Sequence, residues 1–417
     1  MEYLKDKKIL VLVSGGIAIY KTLDLISNLK KMGAKIFVVM SKKATKFISP
    51  RTFQAMSGNI VLYQKSESFP QISHISYAKD ADIALIAPAT INTIAKLNYG
   101  IADNLIVETL LACKCEILIA PSANVNMLES PQNKANLASL AKLGYTIIPP
   151  RVSLLACEVI ANGAMAEVGE IIFHIQKSLI KKPFWQNQSV IITGGGSIEA
   201  IDSIRHISND SSGKQASNLA LAFYLLGAKV TLIASKFPLD LPLDIVKIPV
   251  KTSLDFKNAL EKTLNTKQRH ILLMAAAISD FVPKDTLKGK FKKEQIGATW
   301  QLDLVQNIDI LRHISSTFKD SCFIVGFKAE SFGEEMTHEA KEKASLNAIK
   351  MLDSKNCDMV VLNIISKANS IGGESNEVSV FTQKSTIEIP KNNKLNISFE
   401  IAKILEKAYA TKDSKHR

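Results

Sequence analysis

Unbroken apolar runs of five or six residues recur along the chain, and they read as strands buried on both faces. The first is Lys8-Ile-Leu-Val-Leu-Val13, followed by Ser14-Gly15-Gly16, a helical stretch, and a second run from Gly33-Ala34-Lys35 to Ser41. The same order returns as Ser189-Val-Ile-Ile-Thr193, then Gly194-Gly195-Gly196, then a run from Gly227-Ala228-Lys229 to Ser235. Continuous Val/Ile/Leu runs suit parallel strands, where a half-exposed strand would alternate. Further strands are expected at Ile83–Ala87, Glu116–Ala120, Thr146–Ile148, His270–Ala275, Cys322–Phe327 and Asp358–Leu362. Strands alternating with helices build right-handed βαβ units. The expected fold class is α/β, with two tandem doubly wound, mainly parallel-sheet domains.

The halves are offset by 179 residues at the glycine turns and by 194 at the Gly-Ala-Lys repeats. The second half therefore carries about 15 extra residues behind its first strand. Such folds bind phosphate at that point, so function is expected there. Residues 181–188 are polar, contain Pro183 and read as a linker. They separate a first domain, 1–180, from a second, 189–410, and residues 411–417 read as a charged, frayed tail.

Composition narrows the field. At 417 residues and 47% hydrophobic, the chain can bury two cores, which excludes disorder throughout. No apolar run approaches the ~18 residues of a membrane span, so no membrane partner is expected. Lys5–Lys8 before Ile9–Val13 imitate a signal peptide, but the apolar stretch is too short and no cleavage site follows. A cytoplasmic protein is expected. The formal charge of +13 favours anionic partners. Five cysteines form no CxxC pair and no zinc spacing, which fits a reducing compartment, and no HExxH occurs.

In the first half, Gly15-Gly16 ends a strand and opens a helix. That places bare N–H groups and the positive end of a helix dipole where a phosphate can sit. Ser41-Lys42-Lys43 follows the second strand and Pro88-Ala89-Thr90 the next, so three loops with hydroxyls and amides meet one sheet edge. Ser14–Lys21, Ala87–Lys96, Gly100–Leu105 and Pro121–Met127 resemble the FMN-dependent cysteine decarboxylases, and in particular phosphopantothenoylcysteine decarboxylase. The resemblance implies FMN held by Gly15, Gly16, Ser41, Pro88, Ala89 and Thr90. It makes His74 the base, Asn124 the amide that orients the substrate carboxylate, and Cys157 the acid. Ala123, Glu158 and Ala164 stand where that family has methionine, glycine and arginine.

The chemistry calls for such groups. Decarboxylation of a cysteine carboxylate leaves an unstabilised carbanion unless the thiol is first oxidised to a thioaldehyde. A base near neutral pH, an amide for the carboxylate and a thiol acid then serve the proton movements.

In the second half neither common phosphate fingerprint fits. Glu199 stands where GxGxxG needs its last glycine, and Ser208 occupies the first glycine position of a Walker sequence. Instead, Asp202–Lys214 resembles the signature of phosphopantothenate–cysteine ligase, with Ser203 in place of its proline. Ala275–Phe281, Lys290–Lys293, Gly326–Glu330 and Gly372–Val378 match further segments of that family. The whole chain thus resembles the bifunctional bacterial ligase–decarboxylases of coenzyme A synthesis.

This implies CTP as co-substrate, with 4′-phosphopantothenate, L-cysteine and 4′-phosphopantothenoylcysteine as reactants. Lys290 would neutralise developing charge and Asn209 would hold an acyl-cytidylate. Ala275, Asp280, Ile308, Asp309, Ile310, Leu311, Phe327, Lys350 and Lys355 would contact the nucleotide, with Asp280 a candidate Mg2+ ligand. The family also implies homo-oligomers: trimeric contacts around the flavin, paired ligase halves, and assemblies up to a dodecamer. A ligase whose flavoprotein half is a non-catalytic redox or regulatory module stays open as an alternative. A nucleic-acid partner is not expected, because aromatic–basic interleaving and any recognised module are missing.

Overall fold

The computed structural model describes residues 3–64, 73–154, 160–264, 268–286, 289, 299–331, 337–366 and 369–413. The chain divides into one unit of residues 1–180 and another of residues 181–417.

The first unit is built on β1 (Lys8–Val13), β2 (Lys35–Met40), β3 (Val61–Leu62), β4 (Ile83–Ala89), β5 (Glu116–Pro121) and β6 (Thr146–Ile147). They form one parallel sheet in the order β3-β2-β1-β4-β5-β6. Ile9 through Val13 are all fully buried, and successive residues serve opposite layers. Ile9, Val11 and Val13 pack with Leu25, Ile26 and Ile171 in one core. Leu10 and Leu12 pack with Ile94, Ile106 and Leu110 in the other. Two-sided burial is why the run lacks polar alternation. Strand order reverses between β1 and β4, and in such folds the ligand crevice lies at the carboxyl ends of the strands where this happens. A hairpin of β7 (Arg151–Leu154) and β8 (Ile160–Ala164) follows the sheet.

The second unit repeats the plan with additions. Its main sheet comprises β9 (Ser189–Gly194), β12 (Lys229–Ala234), β13 (Val246–Pro249), β14 (His270–Met274), β17 (Cys322–Ser331), β18 (Met359–Ile365), β19 (Ser375–Thr382) and β20 (Thr386–Asn393). The order is β13-β12-β9-β14-β17-β18-β19-β20, parallel as far as β18 and antiparallel beyond it. Two small hairpins, β10 (Ile198–Ala200) with β11 (His206–Ser208) and β15 (Phe281–Pro283) with β16 (Leu304–Gln306), stand apart from it. The switch point falls between β9 and β14. The antiparallel pair β19–β20 was not expected from the apolar runs, because β19 mixes buried with exposed positions and β20 buries only Ile389.

Two expectations require correction. The stretch read as a linker folds into the second unit: Pro183–Gln186 is a helical turn, and Trp185 is fully buried with its ring edge-on to Phe223 at 4.9 Å between centroids. Of the tail read as frayed from Thr411, residues 411–413 belong to the helix Lys394–Asp413, and the Lys412 ammonium lies 2.8 Å from Asp358. Among the described residues, no helix is long and apolar enough to cross a membrane.

Candidate functional sites

In the first unit, Ser14 joins the two switch-point strands. Its buried hydroxyl donates to the Pro88 carbonyl at 2.6 Å and accepts from the Thr90 amide at 3.0 Å. The Thr90 hydroxyl in turn lies 3.1 Å from that of Thr93. This tie brings Gly15-Gly16 against Pro88-Ala89-Thr90: a methyl group on Gly16 would come within 3.3 Å of the Thr90 side chain. On the other flank, a Cβ on Gly15 would lie 2.5 Å from Cβ and Cγ of Lys43. Ser41 closes that loop by accepting from the Ala44 amide at 3.1 Å.

The third loop of the edge is Ser122–Asn124. The Ser122 amide donates to the Ala89 carbonyl at 3.0 Å, and the Ala123 amide to Gly163 on β8 at 3.1 Å. Asn124 caps the turn Val125–Leu128 by accepting from the Asn126 amide at 3.0 Å. His74 is the first residue of the helix His74–Asp80, held by Ser73, which accepts from the Ser76 amide at 3.2 Å. That helix leads directly into β4. Cys157 falls outside the described residues. The hairpin that flanks it is anchored at its base, where Glu167 accepts from Arg151 at 2.9 Å and lies 3.4 Å from Lys21.

The cradle fits a flavin phosphate on one structural ground: a side chain is excluded at Gly15 by Lys43 and crowded at Gly16 by Thr90. Ile17 and Tyr20, each about three-fifths exposed beside the turn, offer apolar surface suited to a planar ring.

In the second unit the glycine loop after β9 is zipped to the loop after β14. The Ala277 amide donates to Gly195 at 2.8 Å, and the Ser197 amide returns to the Ala277 carbonyl at 3.2 Å. Gly195 is left-handed at φ +79°, and a side chain there would strike Ser235. Asn209 reaches across the same seam, its amide nitrogen 3.2 Å from the Ile278 carbonyl. These loops open onto a cleft of about 650 Å³.

The cleft gathers several of the expected residues. Asn209, Ala275, Asp280, Phe327 and Lys355 line it. Lys350 does not: it is exposed on the helix His338–Ser354, whereas Lys355 follows that helix and pairs with Asp309. The turn 308–311 is largely occupied by structure. Asp309 caps the next helix through the Arg312 amide at 3.0 Å, Ile310 is core, and Leu311 packs under Gly326. Ile308 and Asp309 are the exposed residues of the turn. Ile310 is buried and Leu311 half-buried, so a ligand at this turn would meet its backbone and the exposed Ile308 and Asp309 first.

Lys290 lies outside the described residues. Asp280 and Asp210 both line the cleft, but among the described residues no group of three His, Cys, Asp or Glu could hold a metal ion. No resident metal site is assigned to Asp280. Sequence reasoning did not pick out Ser14, Gln215, Asn376 or Lys394. The last three line the cleft, and nothing in their local sequence marks them.

A doubly wound unit with a flavin-type glycine cradle, fused to a second doubly wound unit with its own cleft, defines a tandem α/β flavoprotein. Residues 2–180 match the Flavoprotein family, and residues 185–409 match the DNA/pantothenate metabolism flavoprotein C-terminal domain. The coenzyme A biosynthesis bifunctional protein CoaBC of Bacillus subtilis (strain 168) is 37% identical over 406 residues, covering 95% of this chain and 96% of its own. The Borreliella burgdorferi counterpart is 33% identical, covering 96% of this chain and 99% of its own. The chain belongs to the family of coenzyme A biosynthesis bifunctional proteins. Among solved structures, the C-terminal domain of a coenzyme A biosynthesis bifunctional protein CoaBC is 25% identical, with a TM-score of 0.44, and covers 55% of this chain and all of its own. A mutant PPC decarboxylase complexed with pantothenoylaminoethenethiol is 28% identical, with a TM-score of 0.37, and covers 41% of this chain and 97% of its own.

Proposed function

We propose that the second unit joins 4′-phosphopantothenate to L-cysteine at the expense of CTP. The first unit then decarboxylates the resulting 4′-phosphopantothenoylcysteine with bound FMN. The observation that carries this reading is that one chain, matched over 95% of its length by a bifunctional relative, retains both a glycine cradle and a separate cleft. The non-catalytic alternative for the first unit has no observation in its favour.

In the ligase cleft two anionic reactants must approach, the acid's carboxylate and the nucleotide's α-phosphate. The carboxylate oxygen forms a new bond to phosphorus as pyrophosphate leaves, and the cysteine amine then displaces CMP from the acyl-cytidylate. Amide and ammonium donors aimed at developing charge make such transfers possible. Asn209, held at the seam between the two switch-point loops, supplies an amide to the acyl-cytidylate. Lys355 supplies positive charge at the cleft wall, with Lys290 as the further candidate. Magnesium enters this reading only as part of the nucleotide substrate.

In the first unit, flavin supplies the two-electron oxidation of the cysteinyl thiol and the later return of a hydride. His74 accepts a proton during oxidation, since imidazole is the side chain suited to that exchange near pH 7. Asn124 orients the leaving carboxylate through its amide, and Cys157 returns a proton to the product carbon. The working form is read as a homo-oligomer in the cytoplasm.

Purified protein given 4′-phosphopantothenate, cysteine and CTP should release pyrophosphate and then CO2. Release of neither, from protein carrying stoichiometric flavin, would overturn the reading.

A further inference from the structure

The second unit carries another pocket at the amino edge of its main sheet, away from the cleft. Phe323 is the second residue of β17 and Asp358 immediately precedes β18, so both stand at the amino ends of parallel strands. The cleft is met further along the same two strands, by Phe327, Ala329 and Asn363. The pocket has a volume of about 280 Å³, close to the lower end of those that take small organic ligands. Much of its lining is apolar. Phe323 and Ile404 are buried, and Ile387 and Ala408 add more accessible apolar surface.

Its charges are unequal. Asp358 is the one acid of the described lining, and its carboxylate is already committed. One oxygen lies 3.1 Å from the Lys319 ammonium and 2.8 Å from that of Lys412, and the other accepts from the Ile324 amide at 2.8 Å. Lys412 is also held over the Phe323 ring, 5.7 Å from its centroid. Lys384, in the turn between β19 and β20, and Lys407, on the helix Lys394–Asp413, line the same pocket. Among the described residues neither of these two ammoniums has a carboxylate or hydrogen-bond partner. The turn that carries Lys384 is closed by Thr382, whose hydroxyl accepts from the Ser385 amide at 3.0 Å and whose amide donates to the Ser385 carbonyl at 2.9 Å.

We propose that this pocket is a binding site for a small amphipathic anion of the medium-chain carboxylate class. Its chain lies against Phe323, Ile387, Ile404 and Ala408, and its carboxylate meets Lys384 and Lys407. Charge complementarity selects that occupant. The acid in the lining is neutralised, so two uncompensated ammoniums set the local sign, attract an anion and repel a cation. A neutral chain of the same length gains the apolar contact alone. The site is separate from both proposed reactions and does not depend on either reading.

The test is calorimetric titration of the full chain, purified with its flavin, using decanoate as the probe and decylammonium as the cationic control. Decanoate should bind at one site per chain with a negative heat-capacity change. Its affinity should fall about fivefold between about 0.05 M and about 0.5 M salt, and decylammonium should bind at least about tenfold more weakly. The double variant Lys384→Gln/Lys407→Gln should weaken decanoate about tenfold. Both ammoniums are exposed and unpaired among the described residues, so this variant keeps the fold. Ala408→Trp, which fills the pocket, should abolish binding; if that variant does not fold, the double variant decides alone. Wild type that takes up no decanoate, equal affinity for decylammonium, or unchanged affinity in the double variant overturns the proposal. So does retention by phosphatidylglycerol vesicles without uptake of monomeric decanoate, which would assign the lysines to a membrane surface.

Discussion

Ser14 and Thr90 are bound to each other across the switch point of the first sheet, the Thr90 amide donating to the Ser14 hydroxyl at 3.0 Å. That hydroxyl is 1% exposed and also donates to Pro88. A side chain this small and buried, holding two loops of a cradle, acts on geometry and not on chemistry.

Ser14→Ala should therefore loosen the cradle without touching any reacting group. Two buried hydrogen bonds are lost and the Thr90 amide is left unsatisfied, at a cost of about 1–3 kcal/mol. The expected outcome is purified protein with a reduced flavin-to-protein absorbance ratio and decarboxylation restored by added FMN. Full occupancy and an unchanged unfolding midpoint would show that the tie is dispensable.

Lys350 and Lys355 separate cleanly in space, although in the sequence they compete for one assignment. Lys355 lines the cleft and Lys350 points to solvent from the preceding helix. Lys355→Met should raise the KM for CTP about tenfold, equivalent to roughly 1.4 kcal/mol of binding, while Lys350→Met leaves it unchanged. The KM for CTP, measured in the ligation assay, decides between them. A comparable effect from both residues would mean that the cleft is not where the nucleotide binds.

Much of this arrangement was legible in the chain, and the parts that were not share a physical reason. Runs such as Ile9–Val13 announce a two-sided core because every residue in them is apolar, and glycine at 15 and 195 marks places where neighbouring atoms leave no room for Cβ. Local composition can show both. Trp185 sits among Lys, Pro, Gln and Asn, and its burial depends on Phe223, which arrives from a helix well along the chain. Lys394 is the same case: its ammonium donates to the Gly373 carbonyl, and two strands separate the pair in sequence. The strand Ser375–Thr382 was hidden for another reason. It buries Asn376, Val378 and Val380 in alternation, so it lacks the continuous run that marks a central strand.

Trp185 is the sharper test of where the second unit begins. It is fully buried beside Phe184 and Phe223. Trp185→Ala should destabilise the second unit by about 3–5 kcal/mol, the usual cost of emptying a large aromatic site. Urea unfolding followed by loss of ligation should shift to lower denaturant. The same substitution in a true linker would leave the midpoint within about 0.5 kcal/mol of wild type.

His270 gives the second unit a pH dependence of known sign. Its ring is 5% exposed at the start of β14, its Nδ1 is 2.9 Å from the Ser189 hydroxyl, and burial holds its pKa below the ordinary 6.5. A lowered folded pKa means that the unfolded chain binds the proton more readily than the native one. Stability from this group is then fully present above pH 6.5 and is lost progressively as pH falls below that value. Urea midpoints of the second unit, measured between about pH 7.5 and about pH 5.5, should fall on the acid side by more in wild type than in His270→Gln, which keeps a polar side chain that does not titrate. If the two proteins lose stability in parallel over that interval, the buried imidazole is not the source of the slope.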